Sequence, residues 1–555
     1  MRKRSKFSLS HYHLTTAEMG TLFPVSLIDV LPGDSIQQVS NVFMRMSPML
    51  APVMHPIQIR LHHWFVPYRL IWDDFEDFIT GGPRGVSTPE FPTIQITGAY
   101  AKKGSLYDYF RLPVINGSVA DFNISVSALP FRAYALIWNN FYRDQDLQDE
   151  IPINYGSGVE SQLNGDPYPL QRVSWKKDYF TTARPWTQKG VEVTVPITPD
   201  NGRSFYYKGR IRVSVANDQA GSPGSTQLCQ WITDNVTLDV LKPIIKRGLV
   251  GDLIPIEVAG LDVVVTILSA NEVVANQSTA SVTQASCSFA DRMAVALYDY
   301  QSEMINGQGS VDIRDLRLAS ALQRFEEARA KYGSRYNEFL MYLGVTPQDA
   351  RLQLPEYLGG GKQIMQISEV LQTAEGQDSG VGTMRGHGLS AGRTRRYRRF
   401  IPEHGVIMTL MSVLPDPIYM QGVNRMWLKR VKEDFYHHEL ANIGMQEVYQ
   451  QELYAPFTQV TSGLPPQNTI FGYQERYDEY RHAHSGVSGD FRDTLDYWHL
   501  ARKFDAAPVL NGSFIQANPT KRIFAEQTTH PLWIMVQHSI QARRMMSKRA
   551  KTKLQ

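Results

Sequence analysis

The side chains with the clearest chemistry in this sequence are cations, and they gather in three short segments. Four lie in residues 1–6, five in 393–399 and six in 541–555, and none of these segments holds Asp or Glu. The formal net charge is +3, so the remaining residues together sum to −12. Acid-free basic segments on a mildly acidic chain are typical of contacts with a polyphosphate, because each neutralised phosphate releases condensed counterions.

The middle segment also carries aromatic rings, since Tyr397 and Phe400 lie among its arginines. This mixture favours single-stranded nucleic acid, with phosphates paired to arginine and a base stacked on Tyr397. Two alternatives remain open: solvated tails without a partner, and a loop that pairs with acidic groups at a subunit interface. We predict that the electrostatic nucleic-acid-binding residues are Arg2, Lys3, Arg4, Lys6, Arg393, Arg395, Arg396, Tyr397, Arg398, Arg399, Arg543, Arg544, Lys548 and Arg549.

A phosphate-binding loop is suggested by the run from Gly359 to Lys362, but its neighbours do not fit. Gln363 stands where Ser or Thr should bind magnesium, and Glu356 stands where the first glycine should be. We therefore predict no nucleotide site here.

Other catalytic patterns are equally weak. Histidines occur in close pairs without the downstream carboxylates of a zinc site, and the acids of residues 73–77 fit the first turn of a helix. The main enzymatic alternative is a DNA nickase or nuclease that uses Tyr497 beside Asp493, Asp496 and His499. We predict no catalytic residue, no metal and no cofactor. Two cysteines are too few for a disulfide framework and fit a reducing compartment.

The composition predicts a folded protein without a membrane segment. Of 555 residues, 43% are hydrophobic and 20% charged, which excludes disorder of the whole chain. The basic N-terminus is not followed by the apolar run of a signal peptide, and no run reaches the ~18 apolar residues of a membrane span.

Hydrophobic periodicity predicts the elements that hold these segments. Alternation in 57–65 and 207–215 indicates half-buried strands, while 406–413 and 533–536 have the pattern of buried strands. Helices are predicted after residue 73, over 128–144 and over 311–343, and the glycines of 375–393 predict a flexible loop. Strands spread along the chain between long excursions predict one antiparallel β-sandwich with enlarged loops.

Several long segments together resemble the major capsid protein of the Microviridae, in its gokushovirus branch. They include HYHLTTAEMGTLFPVSLIDVLPGDSI, SPMLAPVMHPIQIRLHHWFVPYRLIWDDFEDFITGG and LPFRAYALIWNNFYRDQDL in the N-terminal third. WKKDYFTTARPWTQKG, RFIPEHGVIMTLMSVLPDPIYMQG and FGYQERYDEYRHAHSGVSGDFRDTLDYWHLAR follow. The segment 190–290 resembles nothing specific.

The resemblance implies a mainly β fold, an eight-stranded antiparallel jelly roll with large loop insertions that contain helices. It implies sixty copies in a T=1 icosahedral shell around circular single-stranded DNA, assembled in the host cytoplasm and found in the virion. The other partners under this resemblance are a small basic packaging protein, a minor DNA-pilot protein and a host surface receptor. A receptor-binding spike is the alternative within the virion.

We expect five regions along the chain. They are an interior N-terminal arm (1–38), a first part of the jelly-roll core (39–189), a β-rich outward protrusion at the three-fold axes (190–290), a second part of the core (291–540) and a basic C-terminal tail (541–555).

Overall fold

The computed structural model divides the chain into two compact units, Met1–Gly190 with Glu326–Gln555, and Val191–Phe325. The residues that the structure describes are 4–84, 86–114, 123–160, 166–190, 205–216, 228–236, 240–241, 253–259, 261–275, 282–290, 293–304, 313–332, 338, 341–342, 353–373, 380–455 and 469–548. The fold is mainly β, as the sequence predicts.

The first unit contains a seven-stranded antiparallel sheet, which we name the outer sheet. Its strands are β1 (Ser5–Ser8), β2 (His11–Ala17), β4 (Ser35–Met46), β15 (Gln366–Leu371), β16 (Met384–Arg393), β17 (Tyr397–Phe400) and β21 (Leu532–Arg544). β21 and β4 pair along their whole lengths at the centre. β1 and β2 follow one another along the free side of β21, and β16 and β17 do the same along β4.

A four-stranded antiparallel sheet packs against the inner face of the outer sheet. In spatial order it contains β14 (Glu356–Ile364), β5 (Ile57–Pro67), β18 (Gly405–Pro415) and β3 (Phe23–Val30). Side chains of both sheets share two buried clusters; Met44 and Ile534, for example, meet Ile59 and Met411. This is the predicted antiparallel sandwich. The eight-stranded jelly roll remains a prediction.

Strand β18 is buried at every position, which confirms the prediction for 406–413. Its two faces are covered by different partners. Ile407 and Met411 face the sandwich interior, while Met408 and Leu410 belong to the cluster that contains helix α3 (Leu129–Phe141). A strand covered on both sides needs apolar residues on both sides, and this explains its unbroken apolar run.

The remaining described elements of this unit are short sheets and helices. They are β6 (Thr93–Thr97), β7 (Asn123–Ser127), β8 (Val159–Glu160), β19 (Met445–Tyr449), β20 (Ile470–Glu475), α1 (Phe75–Thr80), α2 (Leu106–Tyr109) and α6 (Gly512–Ile515). 3₁₀ turns cover Tyr68–Leu70, Arg425–Trp427, Lys432–Asp434, Glu439–Asn442, Gln450–Glu452, Asp478–Tyr480, Gly489–Arg492 and Asp496–Trp498. The predicted helices at 73–80 and 128–144 are confirmed by α1 and α3, and α1 ends at Gly81 with φ of 81°.

The second unit is described through a five-stranded antiparallel sheet. Its strands are β9 (Phe205–Ala216), β10 (Leu253–Val258), β11 (Leu261–Ala275), β12 (Val282–Ala290) and β13 (Met293–Met304), accompanied by α4 (Leu228–Asn235). The unit continues past residue 290, because β13 pairs with both β9 and β12. Its own core contains Ile211, Val213 and Val263.

The sequence prediction for the glycine-rich stretch was wrong in part. The glycine-rich stretch 375–393 was predicted as a loop, but its last ten residues form β16. A side chain at Gly386 would lie 2.2 Å from the Ala51 carbonyl oxygen, and one at Gly392 would lie 1.5 Å from the Gln363 side chain. These two glycines therefore serve close packing.

The long helix predicted over 311–343 is described as α5 (Ile313–Tyr332), and 333–337 lie outside the described residues. Its predicted apolar face is exposed at Leu318 and Leu322. The spacing of apolar residues predicts that they share one face of a helix, but it does not predict which part of the protein covers that face.

Candidate nucleic-acid interface

Strand pairing brings the three basic segments together on the outer sheet. Lys6 of β1 lies opposite Arg543 of β21, Arg543 lies opposite Ser35 of β4, and Ser35 lies opposite Phe400 of β17. Arg4 adjoins this row: its guanidinium carbon is 5.2 Å from the centre of the Phe400 ring. Segments separated by hundreds of residues in the chain thus meet across four neighbouring strands.

The cations of this row share the outward face of the sheet, because residues that lie directly opposite in an antiparallel pair point to the same side. Three further arginines lie in other rows of paired residues on the same face. Arg398 lies opposite Gln37, Arg393 opposite Asn41, and Arg45 opposite Trp533. All of these arginines are exposed. We name this surface the basic face: the outward positions of β1, β2, β4, β15, β16, β17 and β21.

The basic face carries no carboxylate among its described positions. Its cations are Lys6, Arg45, Arg385, Arg393, Arg398 and Arg543, with Arg4 at its edge, and none of its other outward residues is Asp or Glu. Concentrated positive charge on an open surface attracts a polyanion without base-specific contacts.

Two of the predicted cations have structural partners instead. Arg544 Nε lies 3.0 Å from Oδ2 of the buried Asp34, and its Nη2 donates to the Asp29 carbonyl oxygen at 2.7 Å. Arg399 pairs with Glu356 at 2.5 Å. Adjacent residues of one strand point to opposite faces, so Arg543 and Arg544 have different roles.

The base-stacking role predicted for Tyr397 is not compatible with this structure. Its ring is 9% exposed, and its hydroxyl donates to Gln38 Oε1 at 2.7 Å in the sandwich interior. Burial raises the pKa of this hydroxyl. Tyr397 follows the three-residue connection between β16 and β17, and that connection places it on the inward side of its strand.

The structure instead exposes aromatic residues that sequence reasoning missed. Tyr12 is 61%, Phe400 51% and Trp533 48% exposed, all on the basic face. The stretch 533–536 was predicted to be buried on both sides, which is wrong for Trp533. The alternation of polar residues farther along β21 was the signal that would have placed Trp533 outward.

The other predicted site residues lie outside the strands of the basic face or outside the described part of the chain. Arg395 and Arg396 are exposed in the connection between β16 and β17, and Lys548 is exposed beyond β21. Arg2, Lys3 and Arg549 lie outside the described residues.

A histidine-rich polar network lies directly beneath the basic face. His538 Nδ1 contacts Ser40 Oγ at 2.8 Å and Gln38 Nε2 at 3.4 Å, while His63 Nδ1 contacts Thr409 Oγ1 at 2.9 Å. Burial lowers the pKa of both His63 and His538 to about 3, so both rings are neutral near pH 7. These two histidines therefore add no positive charge beneath the basic face near pH 7.

The enzymatic candidates gain no support from the geometry. His499 engages the Phe491 carbonyl through Nε2 at 2.7 Å and accepts the Ala501 N–H at Nδ1, and Asp496 pairs with Lys503. Gly359–Gly361 lie in strand β14. Within the described residues, no group of three or more His, Cys, Asp or Glu side chains is placed to hold a metal ion.

None of the described helices is long and apolar enough to cross a membrane. An antiparallel sandwich with a basic open face is typical of structural proteins that enclose or bind a polyanion, such as those of viral shells.

Comparison with known proteins identifies the family. Residues 1–553 match the model of the phage capsid protein known as F protein. The chain is 35% identical to the capsid protein VP1 of Chlamydia phage 1, with 94% of this chain and 91% of the relative covered. Identity is 30% to VP1 of Bdellovibrio phage phiMH2K (93% and 88% covered) and 28% to VP1 of Spiroplasma virus 4 (92% and 87% covered). The chain belongs to this capsid protein family of Microviridae-type phages, and its role is structural.

Proposed function

We propose that this chain is the major capsid protein of a T=1 icosahedral particle, in which sixty copies enclose circular single-stranded DNA. Membership of the F protein family supports the capsid role. The observation that carries the nucleic-acid part of the proposal is the convergence of three distant basic segments on one acid-free face.

In this proposal the basic face points into the particle and neutralises phosphates without reading bases. Its contacts come from Arg4, Lys6, Arg393, Arg398 and Arg543. Arg395, Arg396 and Lys548, which are exposed, are proposed to add further phosphate contacts, and so are Arg2, Lys3 and Arg549 of the two terminal basic segments. Arg399 and Arg544 contribute mainly by holding the sheet together.

Charge then couples assembly to the genome. The chain outside the three basic segments sums to −12, so copies repel one another at low salt. Binding of DNA by the basic segments offsets this repulsion and releases counterions. Closed shells form because the rotation between neighbouring copies closes on itself.

The second unit is the candidate for the outward protrusion at the three-fold axes, where the particle would meet the host surface. Support comes from its separate sheet and core, which leave the sandwich complete without it. A packaging protein, a DNA-pilot protein and a host receptor are the remaining proposed partners, with assembly in the host cytoplasm.

The first experiment is the particle mass of the purified protein by mass photometry, with the absorbance ratio at 260 and 280 nm. Sixty copies of 63.0 kDa predict about 3.8 MDa of protein for a closed assembly. A uniform species of that size or slightly above, with a nucleic-acid spectrum, is the expected result. A monomer or trimer under all salt conditions would contradict the shell and favour a spike.

A second experiment tests which surface holds the DNA. The triple variant Lys6→Gln, Arg398→Gln, Arg543→Gln should form particles that package less DNA. A control triple, Lys102→Gln, Lys103→Gln, Lys432→Gln, removes the same charge at exposed positions that are not on the outer sheet. Equal packaging by the two triples would exclude the basic face as the DNA-binding surface.

A further inference from the structure

We infer that the basic face is a stacking platform for unpaired bases, formed by Tyr12, Trp533 and Phe400. This inference rests on the proposed function, since it concerns how the same face holds single-stranded DNA. It replaces the stacking role of Tyr397, whose ring is inside the sandwich.

Each of the three rings lies in a regular strand whose other side faces the sandwich interior, yet all three rings are exposed. Tyr12 and Trp533 flank the outward Leu14, which is 75% exposed, on the paired strands β2 and β21. Leaving this much apolar surface in water is unfavourable. Exposed apolar groups of this extent on one face indicate a surface that is covered by a partner.

The rings are held in position, as a platform requires. The Tyr12 hydroxyl accepts from Gln537 Nε2 at 3.0 Å, and the Gln537 amide oxygen accepts from Asn41 Nδ2 at 3.2 Å. Trp533 lies opposite Arg45 on the neighbouring strand. The hydrogen bond holds the Tyr12 side chain, strand register sets the outward side of Trp533, and both residues leave ring surface open to the outside.

Cations are interleaved with the rings, and this selects a nucleic acid as the partner. Arg4 lies against the Phe400 ring, Arg45 lies 5.4 Å from the Phe43 ring centre, and Arg393 shares a row with Tyr12. A protein partner would have to place acids opposite these cations. A single strand of DNA supplies phosphates for the cations and unpaired base faces for the rings.

The platform should therefore discriminate against a duplex, because paired bases are already stacked and present only their edges. Phosphate contacts alone would not produce this difference. The base-dependent part of the affinity belongs to Tyr12, Trp533 and Phe400, and the salt-dependent part belongs to the cations.

The test compares two oligonucleotides with equal phosphate number, a dT 20-mer and a 20-mer of abasic sites, binding to the full-length unassembled chain. We expect the wild-type chain to bind the abasic strand about tenfold or more weakly, from a stacking contribution of this order per base. Trp533→Thr and Tyr12→Thr keep strand propensity and should each weaken dT binding about fivefold, with abasic binding and its salt slope unchanged. Trp533→Phe and Tyr12→Phe keep a ring and should retain most of the dT affinity.

Other outcomes separate the two proposals. Equal affinity for dT and abasic strands, with loss of both in Lys6→Gln, Arg398→Gln, Arg543→Gln, would overturn the stacking platform and leave the basic face as a phosphate surface. Failure of both strands to bind would contradict the proposed function itself. If the threonine variants lose particle yield but bind dT normally, a second copy of the chain covers this face, and the stacking inference is wrong.

Discussion

The two faces of the outer sheet are made by the same strands and differ in almost every physical property. Along β21, Ile534, Val536 and His538 point inward and are buried, while Trp533, Gln537 and Arg543 point outward. The inward face holds mainly apolar groups and the neutral His538, with Arg399 and Arg544 in ion pairs, and the outward face holds the other described cations of the sheet and the exposed rings. Because side chains alternate along a strand, each strand contributes to folding on one side and to binding on the other.

Binding charge and folding stability therefore depend on different residues, even where those residues are neighbours in the sequence. Arg543 and Arg544 are neighbours in sequence, yet the first faces solvent and the second neutralises the buried Asp34. Substitutions at adjacent positions should therefore affect different measurements.

The largest expected effect is on stability, at the inward position Ile534. Ile534→Ala should destabilise the first unit by about 2–5 kcal/mol, because the side chain is 3% exposed in the cluster shared by both sheets. Met535→Ala, at the next position on the outward side, should cost no more than about 1 kcal/mol. Calorimetric unfolding of the two variants measures the difference, and equal losses would remove the distinction between the faces.

The adjacent arginines provide the next test. Arg544→Gln should destabilise by about 1–3 kcal/mol, because the buried Asp34 carboxylate loses its closest cation. Arg543→Gln should leave the unfolding temperature nearly unchanged and weaken single-stranded DNA binding. Thermal unfolding and a salt titration of dT binding distinguish the two variants. If Arg543→Gln lowered stability and Arg544→Gln weakened binding, the opposite orientations of these two side chains would be contradicted.

The buried histidines predict a loss of stability in acid. Their pKa is about 3 in the folded protein and near 6.5 when unfolded, so the unfolded state binds more protons between these values. Stability therefore falls as pH drops below about 6.5, by roughly 2 kcal/mol per histidine at pH 5.

His63→Gln should reduce the difference in unfolding temperature between pH 7 and pH 5, whatever its effect at pH 7. The exposed His437→Gln is the matched control and should leave that difference as it is. A full acid response in the His63 variant would show that other groups cause it.

The sequence predicted the class of fold and the charged segments more reliably than their arrangement. The unbroken apolar run of β18 follows from burial on both of its sides, and this strand was predicted with its burial. The alternation at 57–65 located β5, but the prediction that this strand is half-buried was wrong, because polar residues such as Gln58 and His63 are buried as well. The pairing of β1 with β21 joins residues more than 500 positions apart, and no local pattern encodes it.

The face to which each side chain of a strand points is the second feature that could not be predicted from the sequence. A shift of one residue moves every side chain of a strand to the other face, so the position of Tyr397 inside and Phe400 outside depends on register. Composition placed both residues in a basic segment but could not assign their faces. The sequence predicts a loop at Gly386 and Gly392, because a single sequence does not indicate that these glycines pack closely against Ala51 and Gln363.

The smallest effect expected is in the salt dependence of DNA binding, and it tests the outward face most directly. Lys6→Gln and Arg398→Gln should each leave stability within about 0.5 kcal/mol, because both side chains are exposed. Each should reduce the slope of log affinity against log salt by about 0.7 for a single strand, the value for one phosphate contact. Lys432→Gln, an exposed cation that is not on the outer sheet, should leave the slope unchanged. If all three variants change the slope equally, DNA is attracted by the overall charge of the chain, and the basic face has no special role.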